Sequence, residues 1–340
     1  VLIFLWILST PLYSEEGVQV SGYFFGDVYG FISHQNPEVT GQTGVWFRRV
    51  YLNFEKKWDP FALLLRFELN SPDSAISYAR GVTPASSDSL RPYLKDLGFS
   101  YKFGEGQKLS FGLIPTPTFN RIEKEWGYRS VERTPMDLAK WASSRDIGLS
   151  LSGPLFGKYL SYHLLGGNGN GLRSETDKGK VVMLSLASEP MGGLLLEVYG
   201  DYNDKKDIKD DSYTLQGFAQ YKTDPFRVGV QYDFVRVIGT PGKATRVRLA
   251  SLYAVLSGES VSFYLRGDRL FDPNPKAKDI EYLRLDPNAR YTLLLAGLDL
   301  PVAKNISVLP NLEGVIYDKP EKGEKPKPVS IARLTVFVRF

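Results

Sequence analysis

Cysteine is absent from the 340 residues, and histidine and methionine are scarce, at 2 and 3. The first absence excludes any disulfide framework. Two histidines leave little from which to build a zinc site or a His-dependent catalytic centre, so no metal, no cofactor and no enzymatic chemistry are expected. Long apolar runs are also missing beyond the first residues: YTLLLAGLDLPVA is interrupted by Asp299, so no later segment suits a membrane-spanning helix. Charge of one sign is lacking too. Lys and Arg number 42 against 38 Asp and Glu, a balance that gives no reason to expect a nucleic-acid partner. GGNGNG at 166–171 superficially suggests a phosphate-cradling loop, but no strand-to-helix pattern surrounds it.

What is present is a period of two. The chain carries 20 Tyr, 20 Phe and 32 Gly, and apolar residues alternate with polar ones almost from end to end. In FALLLRFELN the odd positions Phe61 to Leu69 are apolar while Arg66, Glu68 and Asn70 share the other face. RDIGLSLSG at 145–153, PFRVGVQYDF at 225–234 and ESVSFYLRGD at 259–268 repeat the split. One face suits hydrocarbon and the other water. Such runs predict strands near 17–33, 44–55, 60–70, 91–103, 107–114, 145–153, 158–166, 179–188, 193–202, 211–222, 225–237, 243–257, 260–271, 289–300, 305–317 and 328–340. The count is about sixteen, an even number with the length of tilted membrane strands.

The connections carry more weight, because short turns such as 56–59, 104–106, 223–224 and 257–259 alternate with long loops at 34–43, 71–90, 115–144, 167–178, 203–210, 272–288 and 318–327. Only 238–242 in the long series is brief. Outer-membrane barrels have short periplasmic turns and long external loops, and an even strand number puts both termini in the periplasm. The expected fold is therefore all-β: a transmembrane antiparallel up-and-down barrel of about sixteen strands in the bacterial outer membrane. Residues 1–14, VLIFLWILSTPLYS, are uncharged, mostly apolar and followed by Glu15 and Glu16. They are expected to be the core and cleavage region of a signal peptide truncated at its N-terminus, with a single barrel domain over 15–340. Trp46, Trp58, Tyr93, Tyr101 and Tyr213, near strand ends, are candidates for the interfacial girdles.

Several stretches resemble the porin family that includes phosphate- and polyphosphate-selective porins. They are FRRVYLNFE at 47–55, YLKDLGFSYKF at 93–103, KLSFGLIPTP at 108–117, WGYRSVERT at 126–134, RDIGLSLSG at 145–153 and GGNGNG at 166–171. The final SIARLTVFVRF, ending on Phe340, looks like the assembly signal of outer-membrane proteins. The resemblance implies a sixteen-stranded, usually trimeric barrel whose third external loop, here 115–144, folds inward to narrow the pore, with phosphate-like anions as solutes. Independently of it, 115–144 is long for a loop without function. The dense arginine ladder and lysine cluster of the phosphate-selective members have no residue-by-residue match in this chain.

Parity assigns Arg49, Arg66, Lys102, Lys108, Arg227, Arg246, Arg248, Arg266 and Arg333 to the lumen as pore-lining, anion-binding cations, with Arg121, Arg129 and Arg133 on the constriction loop. Cations in a confined aqueous path favour anions by replacing part of their hydration. Inward acids such as Glu68, Asp96, Asp146, Asp233 and Asp268 are expected to neutralise some of them, Arg248 nearly opposite Asp268 among these pairs. The reading is a porin for passive diffusion of small hydrophilic solutes and ions with a weak anion preference, its partners being outer-membrane lipids, the solutes and two further copies in a homotrimer. Two other readings stay open: a barrel with a plugged lumen acting as enzyme or adhesin, and a soluble periplasmic all-β binding protein.

Overall fold

The computed structural model describes residues 17–70, 91–157, 159–205, 211–238, 245–280 and 282–340. The expectations for the signal segment and for the loop at 71–90 lie outside the described residues.

Sixteen strands follow one another: β1 (Gln19–Ser33), β2 (Thr43–Trp58), β3 (Phe61–Asn70), β4 (Arg91–Phe103), β5 (Gln107–Pro115), β6 (Arg145–Pro154), β7 (Leu160–Gly167), β8 (Val181–Met191), β9 (Leu194–Asn203), β10 (Asp211–Lys222), β11 (Phe226–Ile238), β12 (Thr245–Leu256), β13 (Ser262–Leu270), β14 (Tyr291–Ala303), β15 (Ile306–Tyr317) and β16 (Val329–Arg339). Each pairs antiparallel with its neighbour in sequence, and β1 closes the ring on β16, from Tyr23 opposite Arg339 to Ser33 opposite Ser330. Number, order and boundaries follow the alternation read from the sequence. Two short helices, α1 (Asn120–Trp126) and α2 (Pro135–Leu138), lie between β5 and β6. Among the described residues no helix is long and apolar enough to cross a membrane.

The two faces of the wall invert the usual order of a water-soluble protein. On β11, Val228, Val230 and Tyr232 are exposed while Gln231 and Asp233 are buried; on β12, Leu252 is exposed while Ser251 and Tyr253 are buried. Outward apolar side chains need hydrocarbon around them, and closure leaves no unpaired strand edge within it. Near the short turns, Phe61, Phe99, Tyr101 and Phe103 form an outward aromatic ladder with centroids 5.1–5.7 Å apart, and Trp58 adjoins it. With Tyr213, these fit the expected girdle. Trp46 and Tyr93 do not: the Trp46 indole turns inward to donate to Asp27, and Tyr93 lies beside Lys95 in the interior. A buried partner for the polar edge decides the orientation.

Two irregularities in register bear on the charge of the inner wall. Phe25 faces Arg49 but Gly26 faces Phe47, so Arg48 is an extra residue on β2. Arg66 faces Asp96 but Phe67 faces Leu94, so Lys95 is an extra residue on β4. Each is a β-bulge, which lets two consecutive side chains share one face.

Candidate functional site: a cationic slot beside a packed wall

The segment 116–144 is held by side chains of β2, β12, β13 and β16. Pro135 at the first turn of α2 pre-sets its backbone, and Gly127, at φ 76°, ends α1 in the left-handed region that glycine tolerates. The apolar anchors are Ile122, Trp126, Val131, Met136 and Leu138, all buried. Tyr128 stacks on Tyr264 of β13 at 4.2 Å, and Trp126 lies 5.2 Å from Tyr253 of β12. Polar anchors accompany them. Arg48 donates to the carbonyls of Val131 (2.7 Å) and Ser130, and Arg266 donates to the Arg133 carbonyl at 2.6 Å. Arg333 of β16 pairs with Glu313 of β15 and lies 3.6 Å from Glu132, which also accepts from the Tyr282 hydroxyl. Burial disfavours the charged Glu132 carboxyl, but Arg333 and Arg48 outweigh it and hold the group below the ordinary glutamate range.

A second long loop, 272–290, clasps the first. Asn274 accepts from Trp141 and donates to the Ala139 carbonyl, and Lys276 sits 3.9 Å over the Trp141 ring. Its Ile280, Leu283 and Leu285 are buried, and His34, after β1, meets the Leu283 carbonyl through Nε2 at 3.0 Å. His34 thus has a structural role.

Next to the β12–β16 wall in the ring lies a polar cavity of about 260 Å3 lined by residues of β1–β4 and of the segment 120–145. Its lining holds seven cationic side chains, Arg49, Arg66, Lys95, Arg129, Arg133, Lys140 and Arg145, against three carboxylates, Glu68, Glu123 and Asp137. Glu68 is shared by Arg49 (3.1 Å) and Lys95 (3.0 Å), and Arg129 spans Glu123 (3.0 Å) and Asp137 (3.2 Å). Asp96, behind the lining, pairs with Arg66 at 3.1 Å and with Arg145. Arg49 and Arg66 both lie over the Tyr51 ring, at 5.3 and 4.9 Å. Burial opposes ionisation of Asp137, yet Arg129, Arg133 and Arg49 together hold its carboxyl below the ordinary aspartate range.

The sequence-predicted cations are therefore scattered. Arg49, Arg66, Arg129 and Arg133 converge on the slot. Arg121 lies in a separate cavity of about 290 Å3 with Lys124, Glu125, His163, Ser185 and Glu197. Lys102 and Lys108 face each other in register near the short turn, exposed and outside the slot. Arg227 donates to the Trp126 carbonyl at 3.1 Å, and Arg266 and Arg333 belong to the network that anchors the loop.

Arg246 and Arg248 correct the expectation: they stand on the outer face of β12, opposite Arg236 and Phe234, while the inner face carries Val247, Leu249 and Ser251. Asp268 faces Ser251, and the carboxylate bound by Arg248 is Asp272, at 2.8 Å. Polar residues beyond the hydrocarbon no longer report the inward side. Arg48, Lys95 and Arg145 were not predicted, the first two because a bulge resets parity. The visible signal is a pair of outward apolar residues three apart, Phe47 and Val50, or Leu94 and Leu97.

No family model and no curated protein matches the chain in sequence. Solved structures do. An anion-selective porin from Comamonas acidovorans is similar over 95% of this chain and 99% of its own, with a TM-score of 0.71 and 11% identity. OmpF of Salmonella typhi, solved with daunomycin, covers 95% and 97% at TM-score 0.67 and 11% identity. The outer-membrane channel DcaP of Acinetobacter baumannii covers 97% and 99% at 0.64 and 11%. The fold is that of the outer-membrane porins. At such identity the likeness concerns the fold; with the apolar exterior of the closed barrel, it places the chain in the bacterial outer membrane.

Proposed function

We propose that the chain is a porin through which small hydrophilic solutes and ions diffuse passively, and that it prefers anions. On this reading the segment 116–144 lies within the barrel as its constriction, and the path is eccentric, running between that segment and the β1–β4 wall. One observation carries the preference: seven cationic against three anionic side chains around the slot. A fixed excess of guanidinium and ammonium groups lowers the energy of a partly dehydrated anion and raises that of a cation. Arginine suits the task because its charge never titrates and its fork matches carboxylate and phosphate oxygens. Phosphate-like anions fit this chemistry, as do small carboxylates. Assembly as a homotrimer is part of the same proposal.

The rival reading is a plugged barrel, favoured by the completeness with which the β12–β16 wall is covered, Val315, Leu293 and Glu313 being wholly buried. Single-channel recording in a planar bilayer under a potassium chloride gradient decides between them. The porin reading expects stepwise conductance with a reversal potential on the chloride side. Silence in bilayers that conduct with a control porin would leave the plugged barrel.

A further inference from the structure

On the outside of the barrel, β12–β16 enclose a depression of about 800 Å3, walled by Leu252, Leu265, Leu294 and Leu312. Gly267 and Gly314 form part of its floor. Neither glycine is required by the barrel itself. A methyl group on Gly267 would meet nothing nearer than the Leu294 side chain at 3.5 Å, and one on Gly314 nothing nearer than the Val329 carbonyl at 3.9 Å. Both are ordinary contacts, and neither residue has positive φ. Gly229 shows the contrast: there a methyl group would strike the Tyr253 ring at 2.4 Å. The low floor on β13 and β15 therefore leaves room for something outside the chain.

The rim indicates its chemistry. At the loop end of the same face, Arg269 borders the depression and pairs with Asp318 at 2.5 Å, and Arg290 lies 3.4 Å from the same carboxylate. Arg246 and Arg248 share Asp272, and Arg236, opposite Arg246, is exposed. Five guanidiniums thus stand over two carboxylates. Above an apolar trough, at the level of external headgroups, this band matches an amphiphile that carries acyl chains below and anionic oxygens above. A second copy of the chain would have to bring carboxylates to that height, whereas a phosphorylated lipid has its phosphates there already.

We propose that this face seats a multiply acylated, phosphorylated lipid of the outer leaflet, an acyl chain lying over Gly267 and Gly314 and the phosphates on Arg236, Arg248 and Arg269. The site is independent of conduction and needs only the barrel in its membrane.

Native mass spectrometry tests it. The intact barrel is purified from detergent micelles holding bisphosphorylated hexa-acyl lipid A and phosphatidylcholine in equal amounts, and retained lipid is counted. The wild type is expected to retain lipid A in preference, and to lose that preference when lipid A is stripped of its phosphates. R236Q/R248Q/R269Q should reduce lipid A retention by at least about tenfold while leaving phosphatidylcholine unchanged. G314F should reduce retention by filling the trough, and A296L does the same should G314F fail to fold; heat-modifiable gel mobility confirms the barrel in each. Equal lipid A retention by the wild type and these variants would overturn the proposal. So would a trough-filling variant that dissociates an oligomer without changing retained lipid, which would make the face a contact between copies.

Discussion

The inner wall of β12–β16 and the inner wall of β2–β4 are built from similar residue types and end in opposite conditions. On the first, Arg266, Asp268, Glu313 and Arg333 are almost wholly buried and bonded to one another or to segment 116–144. On the second, Arg49 and Arg66 keep 13% and 22% of their side-chain surface exposed beside the slot, while Glu68 and Lys95 in the same lining are buried and paired. A buried arginine whose donors are spent on carbonyls and carboxylates is a clamp, while one facing aqueous space is a solute contact. What lies across from a charge, rather than the charge itself, sets its role.

The comparison is broken most directly at Arg333. R333M leaves Glu132 and Glu313 facing each other without their shared cation, so the cost should be about 3–5 kcal/mol. The temperature at which the barrel loses its heat-modifiable mobility should fall markedly, and surviving channels should conduct more as segment 116–144 loosens. An unchanged unfolding temperature would show that Arg333 does not anchor the loop.

On the open side the effect should be on selectivity. Arg49→Gln with Arg66→Gln removes two of the seven cations. A unit charge about 4 Å away in water is worth about 1 kcal/mol, so each should lower anion entry by up to about fivefold and raise cation entry by as much, a change of up to about 25-fold in the anion-to-cation permeability ratio. Arg246→Gln with Arg248→Gln, on the outer face, should leave the reversal potential where it was. Were the two double variants to shift it equally, the distinction between inner and outer face would carry no functional meaning.

Strands, turns and barrel closure were legible in the sequence, since each depends on a local alternation with a physical cause: every second residue meets hydrocarbon. The site was legible only in part. Arg49 and Arg66 could be assigned because they share a strand face with their neighbours. Arg48 and Lys95 could not, because a bulge changes which residue is second. Arg266 and Arg333 do lie on the inner face, but parity says nothing of whether a loop will cover them. Arg246 and Arg248 lie past the hydrocarbon, where the alternation loses the cause that makes it informative. The clasp between Asn274 and Trp141 joins loops far apart in sequence and has no local signature.

Acidity sharpens the comparison with the smallest expected change, through Asp137. Its carboxyl is held below the usual aspartate value of 3.8, since Arg129, Arg133 and Arg49 outweigh the effect of burial. A depressed pKa means that its negative charge, and the stability of its ion pair with Arg129, are fully present above the usual value and are lost only as the pH falls through the lowered one. From pH 7 to 5 Asp137 should therefore add nothing to any drift of the reversal potential, and Asp137→Asn should shift it by the same amount at both ends of that range. Removing one of three carboxylates from the slot should raise anion entry by at most about fivefold. Reversal potentials of the wild type and D137N, recorded side by side from pH 7 to 4, check this. A difference between them that vanishes already at pH 5 would mean that the surrounding arginines do not hold Asp137 ionised.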